Sequence, residues 1–151
     1  MRKTYLVLTT LMVLCPASSW AEKKVIVPPE FAQQGAAGLP FSPGILIDGT
    51  LYISGQIGGD PKTRAIPEDF EAEVKRCLDN TGIILKAAGM TYDDVVAVQV
   101  YLTDISLFQR MNAVYGSVFK DPRPSRTTVG VVKLAAPNAR IEITMTARKS
   151  H

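Results

Sequence analysis

Histidine is almost missing from this chain: there is one in 151 residues, and it is the last, His151. A Ser-His-Asp or Cys-His arrangement needs an imidazole held rigidly by the fold, which a chain terminus does not provide. Histidine-rich zinc and non-haem iron sites fall for the same reason. Cysteine is scarce too, with Cys15 and Cys77 the only two. Charge is modest at 21% of residues and nearly balanced, 17 basic against 14 acidic. Beyond residue 21 there is no basic run longer than a pair such as Lys23-Lys24 or Arg148-Lys149, so nucleic acid or an anionic membrane surface finds little to grip. No dinucleotide fingerprint, phosphate-binding loop or metal-ligand cluster occurs. Acid–base chemistry, if there is any, falls to carboxylates, hydroxyls, lysines or water.

What is present begins with an address. Arg2 and Lys3 precede an apolar run over residues 5–15, Pro16 breaks it, and small residues stand at Ser19 and Ala21. This is the layout of a secretory signal, with cleavage expected after Ala21 and an exported, periplasmic or secreted product. The run is too short to span a bilayer, which takes about 20 apolar residues. A lipid anchor on Cys15 is disfavoured by the proline that follows it. The expected domains are 1–21, signal peptide, and 22–151, a single domain. Taking 21 residues from 151 leaves 130, and losing Arg2 and Lys3 leaves 15 basic residues against 14 acidic. Cys77 is then alone, which excludes an internal disulfide.

The expected order of elements in the mature chain is β-β-α-β-α-β-β. Residues 22–40 are a Pro-, Gly- and Ala-rich lead-in with a short edge strand at 24–27. Residues 44–48 and 50–57 flank Asp48-Gly49, a strong hairpin signal. Pro67-Glu68-Asp69 opens a helix in which Phe70, Val74, Cys77, Leu78, Thr81, Leu85 and Ala88 recur at three- and four-residue steps, and Gly89 closes it. Cys77 on that stripe reads as a buried core thiol. Residues 94–103 form a strand, 106–119 a helix with Leu107, Met111, Val114 or Tyr115, and Val118 on its apolar side, and 126–134 and 139–148 two more strands. This is an α+β domain with two helices on one face of a mixed sheet.

Alternation splits each strand. Leu51, Ile53 and Ile57 oppose Tyr52, Ser54 and Gln56; Val96, Val98, Val100 and Leu102 oppose Ala97, Gln99, Tyr101 and Thr103; Ile141, Ile143 and Met145 oppose Arg140, Glu142, Thr144 and Thr146. The second face is polar and aromatic but poor in charge, which suits contact with other copies of the chain more than water. Two charges stand out in late, weakly charged strands, Arg126 and Glu142. As antiparallel neighbours around 135–138 they line one groove, Arg126 lying opposite position 146. The arginine can bind a carboxylate and the glutamate can orient or deprotonate a water, or the two are an interfacial ion pair. Ser54-Gly55-Gln56 is either a place where backbone approaches a ligand or a turn or bulge. Asn112 is either a ligand group or a solvated helix residue.

Several segments together resemble the RidA/YjgF family of enamine/imine deaminases. They are Leu51-Tyr52-Ile53-Ser54-Gly55-Gln56-Ile57 with Asp60-Pro61-Lys62-Thr63, Leu78-Asp79-Asn80, Ala87-Ala88-Gly89, Val100-Tyr101-Leu102-Thr103-Asp104, Met111-Asn112-Ala113-Val114-Tyr115, Pro124-Ser125-Arg126-Thr127-Thr128-Val129 and Ile141-Glu142-Ile143. The resemblance implies a chorismate-mutase-like (YjgF-like) fold, its sheets facing inward in a homotrimer with clefts at the subunit interfaces. It implies hydrolysis of 2-aminoacrylate, 2-aminocrotonate and their imines to 2-keto acids and ammonia, with no cofactor or metal. By position, Arg126 would clamp the substrate carboxylate and Glu142 hold the attacking water; Ser54, Gly55 and Asn112 would line the cleft. Two residues depart from the common pattern: Phe41 stands where many members have tyrosine, and Thr128 where many have cysteine. Alternatives to the deaminase are a non-enzymatic trimer that binds small carboxylates or acts as a holdase, and a ribonuclease, which the near-neutral mature charge disfavours.

Overall fold

The turn at Asp48-Gly49 sets the first half of the sheet. Both residues are left-handed, with φ of 52° and 69°, and Ile47 pairs with Thr50 across them. That is the two-residue hairpin the dipeptide predicts. It joins β2 (Gly44–Ile47) to β3 (Thr50–Ile57), and β1 (Lys24–Ile26) adds antiparallel to the outer edge of β2. The computed structural model describes residues 22–32 and 40–149. The expected signal segment, residues 1–21, lies outside the described residues, as do residues 33–39 of the lead-in. A single helical turn, α1 (Pro29–Ala32), follows β1.

Helix α2 (Phe70–Ala87) starts three residues later than Pro67 suggests. Asp69 takes the cap, its carboxylate accepting from the Ala72 N–H at 2.8 Å, and Glu71 and Glu73 fill the first turn. Gly89, at φ 69°, closes it as expected. A capped turn at Tyr92–Asp94 leads into β4 (Val95–Leu102). Asp104 caps the turn before α3 (Phe108–Val118), which is shorter than the predicted 106–119 because Ile105–Leu107 is wound more tightly. Then come β5 (Ser125–Gly130) and β6 (Ile141–Arg148).

The sheet order is β1-β2-β3-β6-β4-β5. The last two strands are therefore not the hairpin expected around 135–138. β5 runs parallel to β4, reached by the α3 crossover, and β6 inserts antiparallel between β3 and β4. The reason is burial: β6 carries Ile141, Ile143, Met145 and Ala147, all within 1% of complete burial, and belongs in the middle of the sheet. Residues 131–134 leave the strand instead of extending it, and Val132 is 98% exposed.

Both helices cover one face, where Leu51, Ile53, Val98, Val100 and Leu102 join the β6 residues against Phe70, Val74, Cys77, Leu78, Ile84, Leu85 and Met111. Each such side chain contributes about 1.5–3 kcal/mol. Two bulges adjust the alternation. One between Val95 and Ala97 buries Val95 and turns Val96 outward, against expectation. The other, between Ile53 and Gln56, leaves Ile57 half-buried and shapes the candidate site.

Arg140 is a further correction. Instead of lying on the open face, it stands just before β6 and pairs with Glu73, which is fully buried on α2. Its backbone N–H and Nε donate to the two Glu73 carboxylate oxygens at 2.7 and 2.6 Å, and Nη2 donates to the Pro67 and Glu68 carbonyls. One buried carboxylate thus ties the start of α2 to the start of β6.

Candidate functional site

The bulge in β3 brings Gly55 under Glu142. Ile57 pairs with Glu142 and Ile53 with Met145, so β3 carries one residue more than β6 over this stretch. The approach is close enough that a Cβ on Gly55 would fall 1.9 Å from Glu142 Oε1. Only glycine leaves that volume to the carboxylate. Ser54, also in the bulge, donates from Oγ to the Ser42 carbonyl at 2.6 Å, and its N–H donates to the Pro43 carbonyl. Phe41, 54% exposed, is the residue before Ser42 and so begins beside the bulge. Tyr101 pairs with Glu142 on the other side and donates its hydroxyl to Gln99 at 2.8 Å. Phe41, Ser54, Gly55 and Glu142 thus gather at one place. Ile141 and Ile143 are buried towards the helices, so Glu142 projects from the open face.

Arg126 projects the other way. It pairs in register with Val98, which is buried on the helix side, and its guanidinium lies over the Tyr115 ring at 4.5 Å and over the Phe108 ring at 5.6 Å. Nη1 also touches Met111 Sδ at 3.9 Å. Phe108, Met111, Asn112 and Tyr115 recur at helical spacing along one side of α3, so Asn112 belongs to this second group. Thr128, two residues beyond Arg126, shares its side of β5. Tyr115 OH and Thr128 Oγ1 are buried with no hydrogen-bond partner among the described residues. Burial pushes the Tyr115 phenol above its usual pKa, so it stays neutral.

The predicted residues therefore form two groups on opposite faces of one sheet. Arg126 aligns with Val98 and Glu142 with Tyr101, on strands flanking β4. Two strand spacings across and three residues along put their Cα atoms about 14 Å apart. The single groove expected from an antiparallel β5–β6 pair does not exist within one chain. A depression of about 290 Å³ near Tyr92, Phe119, Lys120 and Pro122 includes neither group.

Arg76, Arg110, Arg123 and Arg140 each meet a carboxylate. Among the described residues Arg126, Arg64 and Arg148 form no ion pair, and of these three Arg126 is the one whose guanidinium lies over aromatic rings. Its contacts are ring faces and a thioether, which leave its N–H fork available. Cys77 takes no part: it is buried, donates Sγ–H to the Gln56 carbonyl, and burial pushes its pKa well up. The Gly58-Gly59 loop is held to α2, Asn80 Nδ2 donating to the Ile57 and Gly59 carbonyls at 2.9 and 2.8 Å. Among the described residues no cluster of His, Cys, Asp or Glu could hold a metal ion, and no helix is long and apolar enough to cross a membrane. Sequence reasoning placed Tyr115 on an apolar stripe and passed over Phe108. The signal available was their spacing with Met111 on the side of α3 that meets the edge strand.

A mixed sheet with both helices on one face is the architecture of the YjgF-like class of α+β proteins. The chain belongs to the Endoribonuclease L-PSP (Ribonuc_L-PSP) family, whose model matches residues 32–149, and so to the RidA/YjgF group. A RutC family protein of Saccharolobus solfataricus is 44% identical over 112 residues, 74% of this chain and 88% of that protein. The human 2-iminobutanoate/2-iminopropanoate deaminase is 43% identical over 110 residues, 72% of this chain and 79% of that one. The crystal structure of the YjgF gene product of E. coli superimposes with a TM-score of 0.75 at 33% identity, over 84% of this chain and 99% of that one.

Proposed function

We propose that this chain is a hydrolytic deaminase of 2-enamine and 2-imine acids, releasing a 2-keto acid and ammonia. The observation that carries the proposal is Arg126: a guanidinium held by ring faces, with no carboxylate partner and an open donor fork. A small 2-imino acid supplies the missing carboxylate. The deaminase name carried by the human relative, in a family this chain shares, supports the same chemistry.

A site with both Arg126 and Glu142 must then draw on two copies of the chain. Arg126, with Asn112 and Thr128, comes from one copy; Glu142, with Phe41, Ser54 and Gly55, comes from its neighbour. A cyclic trimer, sheets inward, repeats that interface three times. In the reaction, Arg126 holds the substrate carboxylate and fixes C2 of the imine beside Glu142. Glu142 orients a water and takes its proton as the oxygen adds to C2. That proton passes to the imine nitrogen, giving a carbinolamine; the new hydroxyl's proton then passes through Glu142 to the amine, the C–N bond breaks, and ammonia leaves as the carbonyl forms. The imine is already electrophilic, so positioning carries most of the demand and no cofactor or metal enters.

The test couples purified protein to a 2-aminoacrylate generator and follows keto-acid release. Release should exceed that in buffer and fall about 10- to 100-fold in Arg126→Ala, as expected for loss of a charge-assisted bidentate contact. Binding of 2-ketobutyrate without turnover would instead make the chain a carboxylate-binding trimer.

We also propose that residues 1–21 direct export, on the sequence grounds given above. N-terminal sequencing of the periplasmic or secreted product should begin at Glu22; a product that keeps residues 1–21 contradicts this.

A further inference from the structure

We infer that Tyr115 is a positioning residue for Arg126: its ring is the platform that holds the guanidinium ready for a substrate carboxylate. The inference rests on the reading of Arg126 as the carboxylate clamp. Three observations carry it. The ring centroid lies 4.5 Å from the guanidinium carbon, closer than the Phe108 ring at 5.6 Å. Tyr115 is only 6% exposed and is itself immobilised. It stacks on Phe119 at 4.5 Å, and Phe119 meets the edge of Tyr92 at 5.5 Å. Tyr92 in turn donates its hydroxyl to the Leu78 carbonyl on α2 at 2.6 Å. An unbroken row of rings therefore runs from α2 to Arg126. Finally, the Tyr115 hydroxyl has no hydrogen-bond partner among the described residues, so the ring face, not the oxygen, meets Arg126.

The physical logic is that a long arginine loses much side-chain freedom when it binds. A carboxylate partner in the free protein would order Arg126 but occupy its donors. A ring face orders it and leaves them available. Tyr115 thus lowers the cost of binding without touching the substrate, and its removal should weaken ground-state and transition-state binding alike.

The test uses the mature full-length protein, with calorimetry of 2-ketobutyrate binding and the kinetics of imine hydrolysis. Tyr115→Leu should raise Kd and KM about 3- to 10-fold with kcat changed less than about 2-fold. Tyr115→Phe, which keeps the ring, should restore both constants to within about 2-fold of wild type. Tyr115→Met, unbranched and adaptable in volume, carries the same expectation as leucine should that variant not fold. The inference is overturned if the leucine or methionine variant loses only thermal stability with Kd and KM unmoved, or if the phenylalanine variant is as impaired as they are. Failure of the underlying clamp reading looks different: wild type does not bind 2-ketobutyrate, or Arg126→Ala binds it as well as wild type does.

Discussion

Glu142 Oε1 occupies the space that a side chain on Gly55 would need, 1.9 Å from where its Cβ would begin. The bulge at Ser54-Gly55 therefore does more than kink a strand. It makes room for a carboxylate against the backbone and fixes the side from which that carboxylate meets the open face.

Gly55→Ala should consequently move Glu142 without removing it. We expect keto-acid formation to fall about 10- to 100-fold, since small displacements of a catalytic group are costly. Denaturant stability should change by less than about 2 kcal/mol, because the neighbour that yields is the end of a side chain. Activity within 2-fold of wild type would mean that the position of Glu142 does not matter.

The Glu73–Arg140 pair makes a stability prediction independent of the site. Arg140→Ala leaves a fully buried carboxylate without its guanidinium, and removing one member of a buried pair costs about 3–5 kcal/mol. Arg140 is itself 35% exposed, so water can enter and the lower end, about 3 kcal/mol, is expected. Equilibrium denaturation measures it, and a loss under 1 kcal/mol would show that Glu73 finds other partners.

Acid stability should depend on Glu71. Its two-pronged contact with Arg110 holds its pKa at about 2, against an ordinary 4.5. A carboxylate with a depressed folded pKa stabilises the fold above its unfolded value and loses that contribution as pH falls to the folded one. The pair should therefore add stability above pH 4.5 and lose it progressively down to about pH 2. The difference in Tm between wild type and Arg110→Ala should shrink over that window. A difference that is constant with pH would contradict the assignment.

Much of this was legible in the sequence, for definite reasons. Asp48-Gly49 encodes its own turn, and the three- and four-residue steps from Phe70 to Leu85 encode α2 and its buried face. What was not legible depends on long-range pairing. Nothing in residues 125–130 says that they run parallel to β4, because that choice is made by the α3 crossover. Nothing marks the bulge that turns Val96 outward. Alternation puts Arg140 on the open face only if it is carried back one residue before the start of β6. Its partner could have been suspected: Glu73 lies three residues after Phe70 and four before Cys77, a carboxylate on an apolar stripe. For the site, the residue types at Arg126, Glu142, Ser54, Gly55 and Asn112 were readable, but not that β4 separates Arg126 from Glu142. That separation turns one expected groove into two half-sites.

The central claim is that a working site takes Arg126 from one copy and Glu142 from the next, and mixed trimers test it most directly. Arg126→Ala and Glu142→Gln should each keep no more than about a tenth of wild-type activity alone. Co-expressed in equal amounts, they assemble so that about a quarter of interfaces pair an intact Arg126 with an intact Glu142, and about a quarter of wild-type keto-acid release should return. If both residues serve one chain's own site, no mixed trimer contains an intact site. Activity that stays at the level of the separate variants would contradict the account.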